Sequence, residues 1–215
     1  MKVKFISTLM FVLVAIVIPL LGAIKLLLSP QIGILLVSCI ILLLSQPPIT
    51  LKKSLQLQKT DKLSVLMIMI GSAICINVCV LEWSYWLINN HVFRLDKWTI
   101  SGISLICGGI LFRLWAIRTL GKFFTSEVKV QDDQKIIQTG PYGLIRHPSY
   151  LGAYMAMIGC PILLHSTIGL IVTASLMLIA YLYRINVEEQ TLVEEFGPVY
   201  RQYQEKTRRL IPFIY

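Results

Sequence analysis

Charged residues are scarce in this chain. Only 14% of its 215 residues are Asp, Glu, Lys or Arg, and its mean hydropathy is +0.73. A soluble globular domain carries about 25% charged residues, because its surface must be hydrated. The composition therefore excludes a soluble domain and predicts an integral membrane protein.

Acidic residues are scarcer than basic ones. The chain has 11 Asp and Glu against 20 Lys and Arg, which gives a formal net charge of +9. The basic residues lie in loops between apolar runs and do not line one helix face, so nucleic acid is not a predicted partner. Cytoplasmic loops of membrane proteins collect Lys and Arg, which lie against anionic head groups. The charge pattern thus predicts membrane lipids as partners.

Patterns for metal and nucleotide binding are missing. All five cysteines lie inside apolar runs, and Cys75 and Cys79, although spaced i, i+4, have no further ligands near them. We therefore expect packing cysteines and no metal site. No G-x-G-x-x-G follows a strand pattern, so no Rossmann domain is predicted. No internal repeat or low-complexity segment is visible.

Apolar runs dominate what is present, and they predict an all-α membrane protein of about six transmembrane helices. The predicted spans are Phe5–Leu28, Ile32–Leu44, Leu63–Ile88, Trp98–Leu120, Pro148–Leu164 and Ile168–Tyr183. The second is short, so five spans are an alternative. A cleaved signal peptide is the alternative for the first run, but its length and the lack of a small-x-small site before Lys25 argue against it.

The loops alternate in basic content, as the positive-inside rule requires, and this predicts cytosolic N and C termini. Arg113, Arg118 and Lys122 are interpreted as snorkelling bases at a cytoplasmic helix end, with Gly102, Gly108 and Gly109 allowing close helix contact. Glu82 is interpreted as an interfacial acid in an aromatic belt, with a side chain that faces a protein neighbour as the alternative. The tail from Arg184 is predicted to be helical, with a break at Gly197-Pro198.

The polar residues gather at one end of the last two spans. Each arm of this hairpin has about 17 residues, or roughly 25 Å, close to one bilayer crossing. The hairpin therefore places Arg146–Tyr150 beside Arg184–Glu189 at the cytosolic membrane interface. Simpler interpretations are open: Arg184 and Glu188 could form an ordinary i, i+4 ion pair, and His147 could cap a helix start.

Several short motifs, taken together, resemble the isoprenylcysteine carboxyl methyltransferase family and its lipid methyltransferase relatives. They are Gly140-Pro141-Tyr142, Arg146-His147-Pro148-x-Tyr150 with Gly152, Glu188-Glu189, Phe196-Gly197 with Tyr200 and Tyr203, and Arg209-Leu210-Ile211-Pro212-Phe213. The resemblance covers residues 121–215. We therefore expect an N-terminal scaffold of four spans over residues 1–120 and a methyltransferase region over residues 121–215.

The resemblance implies an S-adenosylmethionine-dependent methyltransferase that acts on a lipid-like or prenylated acceptor. It implies that the cofactor site is formed by Gln134, Lys135, Ile136, Ile137, Tyr142, His147, Pro148, Ser149, Tyr150 and Glu188. It implies that Arg184 faces the acceptor as the catalytic residue, and we expect Arg146 to bind the substrate with it. A guanidinium suits a carboxylate acceptor, which it can hold through two hydrogen bonds.

Other functions remain as alternatives. One is methylation of a phospholipid amine or a small thiol, for which Arg184 would matter less. A membrane reductase would need nicotinamide in place of S-adenosylmethionine. A transporter or scaffold would carry ionisable residues near the middle of several spans or matched broken helices, and neither pattern is present.

Overall fold

Helices make up nearly all of the computed structural model, which describes residues 2–46, 59–88, 91–125 and 135–211. The helices are α1 (Lys2–Val12), α2 (Pro30–Ser45), α3 (Lys59–Leu81), α4 (Lys97–Leu120), α5 (Pro148–Leu163), α6 (Thr167–Phe196) and α7 (Pro198–Lys206). Within the described ranges no strand is formed beyond an isolated bridge between Ile145 and Arg208. The predicted all-α fold is confirmed.

Four stretches of the described chain are long and apolar enough to cross a membrane: Ile6–Leu28, Lys62–Trp86, Lys97–Phe123 and Thr167–Phe196. The first continues α1 through a π-helical turn and a 3₁₀ segment that contains Pro19. Helices α2 and α5 have 16 residues each, fewer than the roughly 20 that a straight crossing needs. The predicted count of six spans and the cytosolic termini stay predictions.

Glycines bring α4 and α5 into backbone contact in antiparallel orientation. A Cβ atom on Gly109 would lie 2.5 Å from the carbonyl oxygen of Gly152, and one on Gly102 would lie 2.5 Å from the amide nitrogen of Leu163. Small residues allow such close approach between membrane helices, as predicted for these two glycines. The same prediction is wrong for Gly108, where a Cβ atom would meet nothing within 4 Å.

Helices α5 and α6 form the predicted hairpin through a short turn, and Glu82 supports that turn. The Glu82 side chain follows α3 and is 6% exposed. It accepts hydrogen bonds from the amides of Ile168 (3.2 Å) and Gly169 (3.0 Å) and from the Ser166 hydroxyl. The interpretation of Glu82 as an interfacial belt residue is therefore wrong, because its carboxylate caps the start of α6.

One continuous apolar core joins the spans. Trp83 is fully buried, and the cysteines Cys39, Cys75, Cys79 and Cys160 lie in the same core. Their predicted packing role is confirmed. Cys107 differs, because its side chain is exposed on the outer surface of α4.

Helix α6 continues past its apolar run into the polar tail that starts at Arg184. Helix α6 reaches Phe196, and Gly197, at φ 53°, ends it in a conformation that favours glycine before α7 begins at Pro198. The predicted helical tail with a break at Gly197-Pro198 is confirmed. The polar second half of α6 consequently stands beside the start of α5.

Candidate active site

One pocket opens where α5 begins and the polar half of α6 passes it, beneath α7. Its lining includes most of the predicted site residues: Lys135, Ile136, Ile137, Tyr142, Arg146, His147, Ser149, Tyr150, Arg184 and Glu188. Pro148 is buried at the first position of α5 and is not in the lining, and Gln134 lies outside the described residues. The structure therefore brings the two predicted polar clusters together.

Aromatic rings from three other segments complete the pocket. They are Phe123 and Phe124 after α4, Phe196 at the end of α6, and Tyr200 and Tyr203 on α7. The sequence placed Tyr200 and Tyr203 on a helical tail, but it gave no sign that Phe123 and Phe124 reach the site. Together these rings give the pocket flat, apolar walls around a few polar groups.

The local sequence explains how the α5 end of the pocket forms. His147 precedes α5, and Pro148 occupies the first helical position, where a missing N–H costs no hydrogen bond. The backbone carbonyl of His147 accepts from the amides of Tyr150 (3.1 Å) and Leu151 (3.2 Å). His147, Ser149 and Tyr150 thus emerge in one helical turn at the pocket.

A hydrogen-bonded chain of side chains crosses the pocket from α5 to α3. The Tyr150 hydroxyl donates to Oε2 of Glu188 (3.0 Å) and accepts from Nε of Arg184 (3.4 Å). Nη1 of Arg184 donates to Oγ of Ser64 on α3 (2.8 Å). Arg184 and Glu188 share one face of α6, as their spacing predicts, and Arg184 is only 5% exposed.

Arg146 lines the pocket, but its hydrogen bonds go to Glu189 on α6 and to residues 204–209, here called the C-terminal segment. Its Nε donates to Oε1 of Glu189 (2.7 Å), and its Nη1 donates to the carbonyls of Thr207 (2.6 Å) and Gln204 (3.1 Å). The assignment of Arg146 to substrate binding stays a prediction. The observed contacts show in addition that Arg146 binds the backbone at Gln204 and Thr207.

Two buried tyrosines hold the loop before α5 to α7. The Tyr203 hydroxyl donates to the backbone carbonyl of Tyr142 at 2.6 Å. Burial raises the pKa of the Tyr142 hydroxyl, and the nearby Glu188 carboxylate raises it further. Burial also raises the pKa of Tyr203. Both phenols are therefore neutral hydrogen-bonding groups at physiological pH.

Arg113 lies directly behind the pocket, and the interpretation of it as a snorkelling base is wrong. Its side chain is 2% exposed, and its Nη1 and Nε donate to the Ser149 carbonyl (2.9 Å) and to Oγ of Ser45 (3.1 Å). Its guanidinium also lies over the Phe124 ring, 5.7 Å from the centroid. A signal for this position exists: Arg113 lies on the same face of α4 as Gly102 and Gly109, and that face packs on α5.

Comparison with known proteins supports the motif pattern. A sequence model of the isoprenylcysteine carboxyl methyltransferase (ICMT) family matches residues 102–194. The predicted family resemblance is confirmed. The match to the ICMT family starts inside α4, so it crosses the boundary expected at residue 120, and that division stays a prediction.

Curated relatives named as protein-S-isoprenylcysteine O-methyltransferases align with a little over half of the chain. Protein-S-isoprenylcysteine O-methyltransferase of Saccharomyces cerevisiae is 36% identical over 118 residues, which are 54% of this chain and 49% of the relative. Isoform B from Arabidopsis thaliana is 32% identical over 123 residues, which are 55% of this chain and 62% of the relative. The aligned part of the chain thus spans about half to three fifths of these relatives.

The fold is similar to a solved structure of the eukaryotic intramembrane Ras methyltransferase ICMT. The match has a TM-score of 0.56 and 23% identity, and it covers 95% of this chain and 74% of that one. At this level of identity the likeness concerns the fold alone. The overall helix arrangement is therefore similar over nearly the whole chain, beyond the part that the family model matches.

Proposed function

We propose that this protein is an integral membrane, S-adenosylmethionine-dependent methyltransferase whose acceptor is the carboxylate of a C-terminal isoprenylcysteine or a similar lipid-like acid. The observation that carries the proposal is the buried Arg184, which shares a pocket with Glu188 and Tyr150. The names of the curated ICMT relatives support the same reaction class.

The residues present fit such a cofactor. The Glu188 carboxylate is 31% exposed at the pocket and can accept hydrogen bonds from ribose hydroxyls or an ammonium group. The rings of Tyr142 and Tyr150 offer faces for an adenine or a sulfonium cation. Lys135, Ile136 and Ile137 bring a stretch of backbone outside helices and strands to the same wall.

The chain's own residues supply what methyl transfer requires besides the cofactor: they bind and orient the acceptor and exclude water. When bound, S-adenosylmethionine supplies a methyl group on a sulfonium, which a carboxylate can accept without a general base. Arg184 binds and orients the acceptor carboxylate, and the Tyr150 hydroxyl and Ser64 orient the guanidinium. The aromatic walls exclude water, which strengthens these contacts. Alignment of the reacting groups is thus the main contribution of the protein.

The acceptor enters from the membrane in this proposal. The pocket lies at the end of the hairpin formed by α5 and α6, so an apolar chain can stay among the spans while its carboxylate reaches Arg184. We place this end at the cytosolic interface because the loops that flank it carry the basic residues.

Titration calorimetry with S-adenosylmethionine and the purified protein tests the cofactor. We expect one site per chain, with competition from the demethylated product and none from a nicotinamide dinucleotide. A well-folded sample that gives no heat with S-adenosylmethionine would overturn the proposal, and binding of the dinucleotide would favour a reductase.

Transfer of labelled methyl groups tests the acceptor. A panel of prenylcysteine acids, phosphatidylethanolamine and small thiols is offered to the same preparation. We expect label in the methyl ester of the prenylcysteine acid. Label in the lipid amine or the thiol instead would keep the reaction class and replace the substrate.

A further inference from the structure

Glu189 is a buried acid next to the pocket, although it does not line it. Its side chain is 4% exposed, whereas that of the neighbouring Glu188 is 31% exposed. Four side chains donate to its two oxygens: Arg146, His147, Gln204 and Arg209. A buried carboxylate needs such compensation, because isolated charges are costly away from water.

The first oxygen of Glu189 binds the loop that leads into α5. Oε1 accepts from Nε of Arg146 at 2.7 Å and lies 3.1 Å from Nε2 of His147. Both partners line the pocket. This half of the carboxylate therefore fixes the direction of two pocket side chains.

The second oxygen binds the C-terminal segment. Oε2 accepts from Nε (3.0 Å) and Nη2 (2.7 Å) of Arg209 and from Nε2 of Gln204 (3.3 Å). The segment also meets the loop through its backbone, because the amide of Arg146 donates to the carbonyl of Arg208 at 2.8 Å. Glu189 is thus the anion shared by the basic side chains of two segments that also meet through backbone hydrogen bonds.

The contact with Glu189 also determines which nitrogen of His147 carries the proton. A carboxylate only accepts, so Nε2 must be protonated to bind it. The other nitrogen, Nδ1, lies on the pocket side, 3.9 Å from Oε2 of Glu188. In the neutral ring Nδ1 is then an acceptor, able to bind an N–H or O–H group of a ligand.

We propose that Glu189 is a positioning residue of the pocket: it holds the C-terminal segment on the loop before α5 and presents Nδ1 of His147 to the ligand. The ligand part of this inference rests on the proposed function. Glu189 touches neither acceptor nor cofactor in it, and acts only through Arg146, His147 and Arg209.

Substitution Glu189→Gln tests the proposal, because an amide cannot accept on both of its sides. If its NH₂ group faces His147, it donates to Nε2 and the ring proton moves to Nδ1. If its NH₂ group faces Arg209, the bonds to the C-terminal segment are lost. Glu195→Gln, on the exposed side of α6, is the matched control.

Two measurements need no ligand. Nitrogen NMR of histidine-labelled protein in nanodiscs reports the tautomer, with His147 assigned among the three histidines by His147→Asn. Hydrogen exchange reports the amides of Arg146, His147 and Arg208, which bridge loop and segment. For Glu189→Gln we expect either the other tautomer or at least tenfold faster exchange, and for Glu195→Gln neither.

Calorimetry with S-adenosylmethionine supplies the third readout. We expect at least a tenfold weaker Kd for Glu189→Gln and a change below twofold for Glu195→Gln. An unchanged tautomer, unchanged exchange and unchanged Kd in Glu189→Gln would overturn the proposal. If Glu189→Gln does not fold, Glu189→Asp replaces it, because its side chain keeps the charge but is too short to reach both segments. The same changes in tautomer or exchange and in Kd are then expected, and their absence would overturn the proposal.

The outcomes also separate this proposal from the proposed function. Wild-type protein that does not bind S-adenosylmethionine but shows the Nε2-protonated ring and the protected amides would leave Glu189 in its positioning role. Wild-type protein that binds S-adenosylmethionine with His147 protonated only on Nδ1 would overturn the role of Glu189 and leave the methyltransferase.

Discussion

The hairpin of α5 and α6 has a buried glutamate at each end, and the two differ in what donates to them. At the turn, Glu82 accepts from backbone amides at the start of α6 and from the Ser166 hydroxyl. At the pocket, Glu189 accepts from Arg146, His147, Gln204 and Arg209, all through side chains. The donors to Glu82 belong to one helix end, and those to Glu189 come from two segments.

This difference separates a residue of the fold from a residue of the site. Backbone amides at a helix start are fixed once the helix forms, so Glu82 supplies helix capping within the hairpin. Long side chains from a loop and a tail have several rotamers, and Glu189 selects one arrangement of them. We therefore expect changes at the turn to alter stability and changes at the pocket to alter activity.

The largest expected effect is on activity, from Arg184→Ala at the pocket end. Loss of a charged donor that orients a reacting group typically costs 100-fold or more, so we expect methyl transfer to a prenylcysteine acid to fall by at least about 100-fold. Arg184→Lys should retain part of the activity, because it keeps the charge without the two-pronged contact.

Labelled methyl transfer measures this, with thermal unfolding and S-adenosylmethionine affinity as checks on folding. Arg201→Ala, an exposed position on α7, is the control and should leave the rate unchanged. A fall of less than about tenfold in Arg184→Ala would mean that the acceptor is not held by this residue.

At the turn, Glu82→Ala should act on stability instead. It leaves the Ile168 amide and the Ser166 hydroxyl without their acceptor, whereas the Gly169 amide still donates to Oγ of Ser166 at 3.1 Å. At about 1–3 kcal/mol for each of these two unsatisfied groups, the free energy of unfolding should fall by about 2–6 kcal/mol. Thermal melting in detergent measures it.

The affinity of folded Glu82→Ala for S-adenosylmethionine should stay within twofold of wild type. Glu205→Ala, exposed on α7, should change neither property. A Glu82 variant with normal melting but weakened binding would break the distinction between the two ends of the hairpin.

The smallest effect should come from Ser64→Ala, which removes the 2.8 Å hydrogen bond to Nη1 of Arg184 from a fully buried position. A hydrogen bond to a charged group contributes about 1.5–3 kcal/mol, but Arg184 keeps its bond to Tyr150, so we expect roughly a five- to tenfold fall in kcat. Initial rates at saturating acceptor measure it. Ser72→Ala on the same helix should change nothing, and equal rates in both variants would show that α3 does not support Arg184.

The sequence was informative about the hairpin because its two signals are local. The apolar length of each arm and the break near His165 are readable along the chain, and together they bring Arg184 and Glu188 to His147 and Tyr150. The sequence does not reveal that Arg113 and Glu82 are buried. A polar residue near the end of an apolar run can face lipid head groups or protein, and the packing partner determines which of the two it faces.

Ser64 shows a different limit. A serine inside an apolar run carries no distinguishing signal, and its contact with Arg184 spans 120 positions of the chain. Phe123 and Phe124 reach the pocket for a similar reason, since their positions depend on where α4 ends against α5. Long-range contacts of this kind follow from helix packing and not from any local pattern.

The backbone contact between α4 and α5 has a consequence for the depth of the site in the bilayer. Helix α5 is too short to match the hydrocarbon thickness by itself, but at Gly109 and Gly152 it cannot slide along α4 without a clash. The longer α4 therefore fixes the position of α5 along it, and with it the position of the pocket residues at the start of α5. With α4 as a membrane span, as proposed, we expect a bilayer of different thickness to tilt this pair together and to raise or lower the mouth of the pocket relative to the water.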